Sequence, residues 1–201
     1  MITYPRITRI KRIQIFSCVP AFLIQFLDLG FLVSRLHDQS VKIMPFRIIA
    51  ADHTGITVAN LERSLAFWQG VLGFELSHQA HHTGELASEV TGVLGAEISL
   101  AVLKGYGHKI ELLEYHAPAD RKRGDLRPCD VGSVHVALMV ENLDAVLSAI
   151  AASSWKATGK PQTLKTGPNA GKRVVYVRDP DGTTIELMQP PLAKEEGRIK
   201  K

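Results

Sequence analysis

Two phrases in this chain occur twice, and a chain that repeats itself is constrained to fold as two similar units. His53 opens His-Thr-Gly-Ile-Thr-Val-Ala-Asn-Leu, and His135 opens His-Val-Ala-Leu-Met-Val-Glu-Asn-Leu. An offset of 82 relates His53 to His135, Val58 to Val140, Asn60 to Asn142 and Leu65 to Leu147. Ile110-Glu111-Leu112 then returns as Ile185-Glu186-Leu187 at an offset of 75, so the second copy is seven residues shorter between its His and its Glu. A duplication that places one His and one Glu in each copy is the pattern of a symmetric four-ligand metal site.

The local pattern says what each copy builds. Thr54, Ile56 and Val58 alternate with His53, Gly55 and Thr57, the period of a strand. Asn60 then offers an N-cap, Leu61, Leu65, Trp68 and Leu72 follow at helical spacing, and Gly73 supplies a left-handed stop. The second copy predicts a strand over 134–140, a cap at Asn142, and a helix face of Leu143, Leu147 and Ile150. Further strands are expected at 97–103 and 109–115, and at 173–177 and 183–188, with turns at Tyr106-Gly107 and Asp181-Gly182. Each copy reads as a strand, a helix, then two or three strands. The expected fold is α+β: two tandem βαβββ modules, 50–118 and 131–191, forming a curved mixed sheet around a cleft. His53, with Gly55 and Thr57 beside it, and His135, with Ala137, have small neighbours that leave room on the cleft face. Glu111 and Glu186 point opposite to their aliphatic flanks, into the same cleft.

The charge excludes one class of partner. The net +4 is carried by residues 1–43, which hold six Lys/Arg against two acids, while the remaining 18 bases and 18 acids cancel. A neutral body has no basic face for a nucleic acid backbone. Cys18 and Cys129 stand far apart and outside any CxxC spacing, which suits reduced thiols in the cytoplasm. The apolar run 13–33 is long enough to span a bilayer of about 30 Å, but Asp28 and Pro20 interrupt it. Residues 1–43 are expected to be an extension outside the folded body, with an anchor as the less favoured reading, and 192–201 a charged tail.

His53-Thr54-Gly55-Ile56-Thr57-Val58, continuing through Ser64-Leu65-Ala66-Phe67-Trp68 to Leu72-Gly73-Phe74, resembles the opening strand and helix of the vicinal oxygen chelate superfamily. This is the group of glyoxalase I, methylmalonyl-CoA epimerase, extradiol dioxygenases and bleomycin or fosfomycin resistance proteins. Asp179-Pro180-Asp181-Gly182-Thr183-Thr184-Ile185-Glu186-Leu187 resembles its closing hairpin. The resemblance covers residues 50–190 and implies paired βαβββ modules around one divalent ion. Its ligands would be His53, Glu111, His135 and Glu186, an N₂O₂ set suited to Zn, Ni, Co, Mn or Fe(II). A homodimer is expected; in the superfamily both modules of one chain can close one cleft, or partner chains can exchange modules.

Other motifs carry less. His78, His81 and His82 sit among polar residues and read as a solvated loop, and His108 and His116 as surface residues. The run from Gly167 to Arg173 imitates a phosphate loop but is one residue short and puts Arg173 where a Ser or Thr would hold Mg²⁺. Lys172 and Arg173 remain candidates for an anionic substrate group. No GxSxG is present, which leaves nucleophilic hydrolysis without a motif.

Three chemistries are consistent with this set. The favoured one is a glyoxalase-type lyase or isomerase, in which the metal holds two neighbouring oxygens, an enediolate forms, and Glu186 with its counterpart Glu111 moves the proton. A ring-cleaving dioxygenase is the alternative suggested by Tyr176-x-x-Asp179-Pro180-x-Gly182, but residues 162–175 lack the His that signature also needs. The third is a metal-free antibiotic-binding module.

Overall fold

The computed structural model describes residues 46–124 and 126–191, so the expectations for 1–43 and 192–201 lie outside the described residues. The first module runs β1 (Thr54–Thr57), α1 (Leu61–Gly70), β2 (Glu75–His82), α2 (Gly84–Thr91), β3 (Glu97–Gly105) and β4 (His108–Ala117). The second runs β5 (His135–Met139), α3 (Leu143–Ala151), β6 (Lys156–Ala157), β7 (Gln162–Thr163), β8 (Arg173–Arg178) and β9 (Thr184–Gln189). The sheet orders are β1-β4-β3-β2 and β5-β9-β8-β6, with β7 also paired to β8. In each sheet the first strand lies parallel to the last, and the remaining pairs are antiparallel. The architecture is the expected α+β duplication, built as two mixed sheets.

The helices start where the sequence places their caps. Asn60 Oδ1 accepts from Arg63 N at 2.7 Å, and Asn142 Oδ1 accepts from Ala145 N at 3.0 Å. Each bond satisfies one of the backbone donors that a helix start leaves without an intrahelical partner. After α1, Gly73 takes φ 74° and Phe74 N donates back to Trp68 O at 2.9 Å, which turns the chain out of the helix.

One core serves both modules. Trp68, Leu103, Ile110 and Leu112 of the first are packed in the same buried cluster as Leu143, Ile150, Val177, Ile185 and Leu187 of the second. Burying a side chain of this size contributes about 1.5–3 kcal/mol, and none of these has appreciable exposure. The opposite sheet faces are open: His53, Gly55 and Thr57 are exposed, as are His135, Ala137 and Met139.

Helix α2 breaks the symmetry. Its Ala87 packs with Ala96 and Ile98, against Leu113 and Tyr115. Leu113 and Tyr115 alternate along β4 with the core residue Leu112, so α2 covers the far end of the first module's open face. The second module has no counterpart, which matches its seven-residue deficit.

Two local expectations are corrected. His78, His81 and His82 lie on β2, an edge strand, and not in a loop. Its residues are mostly exposed on both faces, so no hydrophobic alternation announces it. The β8–β9 connection is the loop 179–183, not a two-residue turn at 181–182; Asp179 Oδ1 accepts from Asp181 N and Thr183 N at 2.9 and 2.7 Å. The β3–β4 turn is as expected, with positive φ at both Tyr106 (54°) and Gly107 (75°). Among the described residues, no helix is long and apolar enough to cross a membrane.

Candidate metal centre

The two copies place their His and Glu in the same register. Glu111 pairs with Gly55, two residues beyond His53, and Glu186 pairs with Ala137, two residues beyond His135. Side chains two apart on a strand share a face, so each Glu lies diagonally across from its His. His53 Nε2 and Glu111 Oε2 come within 3.2 Å, and His135 Nε2 and Glu186 Oε2 within 3.4 Å. The residue between is small in both copies. A Cβ added at Gly55 would meet Leu113 Cδ1 at 3.6 Å and Glu111 Oε2 at 3.9 Å, ordinary contacts, and the second copy carries Ala137 there.

The donor geometry suits a metal. Two N/O atoms each about 2.1 Å from one ion, at adjacent positions, stand about 3.0 Å apart in octahedral and about 3.4 Å apart in tetrahedral coordination. The observed 3.2 and 3.4 Å fall in that interval. Each module thus sets one His nitrogen beside one Glu oxygen, at a separation that also suits a direct His–carboxylate contact.

The surroundings of the halves differ. His53 Nδ1 lies 2.9 Å from Asp52 Oδ2, and Lys109 Nζ donates to Asp52 Oδ1 at 2.5 Å. Hydrogen bonds from Lys109 and His53 hold the exposed Asp52 carboxyl at about 2, below its usual range. In the second module, Tyr176 pairs with Glu186 across β8 and β9, and its ring lies 5.0 Å from that of His135. Burial, and then the Glu186 charge, raise the Tyr176 phenol above its ordinary value.

The pairs themselves stay apart. Among the described residues no group of three or more His, Cys, Asp or Glu side chains converges as a metal site. His135 and Val136 line a cleft of about 260 Å³ with Thr54, Gly55, Ile56 and Thr57, whereas neither His53 nor Glu111 lines it. The sequence expectation of four donors is realised in one chain as two pairs.

Arg173 is placed elsewhere. It lies on the same face of β8 as the buried Val175 and Val177, and its two terminal nitrogens donate to the Asp144 carboxylate of α3 at 2.8 and 2.9 Å. The strand period that points Tyr176 to the open face turns Arg173 to the helix face. Lys172 is half-buried ahead of β8, and neither side chain bonds to Glu111 or Glu186 among the described residues. His108 and His116 do not join the pairs: His108 Nε2 meets Thr54 Oγ1 at 2.9 Å, and His116 Nε2 meets Ser99 Oγ at 2.8 Å.

Sequence reading missed two features. Asp52 precedes β1, which begins at Thr54, and no repeat or periodic pattern singles it out. Asp181 was read only as part of a turn. Its buried carboxylate accepts from Ala59 N at 2.9 Å and from Arg63, tying the second module's loop to the start of α1, while its Oδ1 has no hydrogen-bond partner among the described residues. No local pattern signals a bond between residues so far apart.

The comparisons with known proteins agree with this architecture. The chain is 32% identical over 149 residues to a 2-epi-5-epi-valiolone epimerase of Actinomyces, covering 71% of this chain and 80% of that one. It is 30% identical over 150 residues to the lactoylglutathione lyase of Salmonella typhimurium, covering 73% and 94%. A glyoxalase family protein from Bacillus cereus shares the fold at a TM-score of 0.63 and 23% identity, covering 73% of this chain and 97% of that one. Residues 50–187 match the Glyoxalase/Bleomycin resistance protein/Dioxygenase superfamily, and the chain belongs to that superfamily.

Proposed function

We propose that residues 50–191 form a divalent-metal-dependent lyase or isomerase that moves a proton on a carbon beside a carbonyl or thioester. The observation that carries this reading is the identical register of His53–Glu111 and His135–Glu186, each pair spaced for one ion. The relatives named as an epimerase and as a lyase support it. A bound divalent ion would supply Lewis-acid stabilisation to negative charge on two neighbouring substrate oxygens.

The rest falls to the chain. Glu186 takes the proton from carbon and returns it, with Glu111 as its counterpart; a carboxylate so positioned commonly contributes about 10²–10⁴ in rate. Tyr176 and the open sheet face keep the reacting carbon against Glu186. Two donors per module do not complete a coordination shell, and both pairs lie on faces open to solvent. A second copy of the chain therefore brings the complementary half, giving a cytoplasmic homodimer whose sites lie between chains.

The test is metal analysis of the full chain purified without chelator, followed by thiol-adduct, CoA-thioester and catechol substrates. We expect about one ion per chain, bound by N/O donors, and turnover of a thiol adduct or thioester with solvent hydrogen exchange at carbon. Turnover of the catechol alone would replace this reading with ring cleavage. Absence of both metal and turnover would replace it with a binding module.

A further inference from the structure

We propose that Asp52 is a positioning residue for His53, fixing its tautomer so that the Nε2 lone pair faces the metal position. A neutral imidazole carries one N–H, and a carboxylate accepts hydrogen bonds only. Both ring nitrogens face a carboxylate oxygen, Nδ1 at 2.9 Å from Asp52 Oδ2 and Nε2 at 3.2 Å from Glu111 Oε2; the shorter contact assigns the single proton to Nδ1 and leaves the Nε2 lone pair for an ion held between it and Glu111. Lys109 anchors the other oxygen of Asp52 at 2.5 Å. Lys109 and Glu111 are two residues apart on β4, so one strand face carries both the Glu of the pair and the anchor of its brace.

The duplication supplies the contrast. The residue before His135 is the exposed Val134, and Thr184 stands where the second copy would have a Lys109 equivalent. His135 has a ring contact with Tyr176 and, among the described residues, no carboxylate on its Nδ1. The same ligand pair is thus braced by charge in one module and by packing in the other. The carboxylate facing His135 is Glu186, on Nε2, so only the first half has a brace that leaves its Nε2 lone pair free.

This inference rests on the metal reading above, and the experiment separates the two. In the metal-free full chain with ¹⁵N-labelled histidine, His53 should show the Nδ1–H tautomer near neutral pH. Asp52→Asn should move it toward a mixture or the other tautomer, Asp52→Glu should restore it, and His135 should not respond. Zn²⁺ titrated against a chromophoric chelator should bind Asp52→Asn about 10–100-fold more weakly, the usual cost of losing the carboxylate behind a ligating His. A His53 spectrum that ignores Asp52→Asn, or an unchanged Zn²⁺ affinity in a wild type that does bind, overturns the proposal. If the wild type binds no metal but the His53 tautomer follows Asp52, the brace stands and the metal reading falls.

Discussion

The rings of Phe67 and Trp155 lie stacked, with centroids 4.1 Å apart and planes 11° from parallel, and they join α1 of the first module to the chain just after α3 of the second. Trp68 meets the same indole edge-on at 6.3 Å, so one side chain is clamped by two aromatic neighbours. The contact lies in the core that both modules share.

Trp155→Ala should therefore destabilise the whole body and not the second module alone. The expected cost is about 3–5 kcal/mol for emptying a buried aromatic site. Denaturant unfolding followed by far-ultraviolet circular dichroism measures it. A loss below about 1 kcal/mol, or two separate transitions with one unchanged, would show that the modules do not share their core.

Glu186→Gln keeps the size of the side chain and removes its charge and basicity. Turnover of the true substrate should fall by about 10²-fold or more. Metal content must be measured on the same sample, since metal loss gives the same result. Near-normal turnover with metal retained would transfer the proton to Glu111.

Two glycines should respond in opposite ways to alanine. Gly55→Ala adds a Cβ at ordinary contact distances and reproduces Ala137 of the second copy, so metal content and stability should hardly change. Gly105→Ala drives a Cβ to 2.9 Å from Phe74, a buried ring that cannot swing away, and should cost about 1–3 kcal/mol. Thermal unfolding of the pair decides it, and equal effects would contradict the packing described.

Asp179 gives a pH dependence of known sign. Burial first, and then the nearby Asp181 charge, raise its carboxyl above the ordinary value despite the hydrogen bonds from Thr183 and Asp181, which lower it. A carboxyl whose folded value exceeds its unfolded value costs nothing below the unfolded value, about 3.9. It destabilises progressively as pH rises to the folded value. The midpoint of Asp179→Asn relative to wild type should therefore rise from acid to neutral pH. A difference that shrinks as pH rises would show the carboxylate to be stabilising.

The sequence by itself determined the duplication, the caps at Asn60 and Asn142, and the face on which each His and Glu stands. All of these follow from local periodicity: alternation sets the strand face, and a fixed offset carries it from one copy to the other. It also places Gly55 and Ala137 between the donors, a small residue in both copies. The polar edge strand β2 left no such trace, since neither of its faces is buried enough to impose a pattern. Only the tertiary structure decided that α2 folds onto the open face, that Arg173 is turned to Asp144, and that Asp181 reaches Ala59 and Arg63. It also decided that the two His–Glu pairs stay separate within one chain. These contacts join residues far apart in sequence, and packing between elements selects them, which no local period encodes.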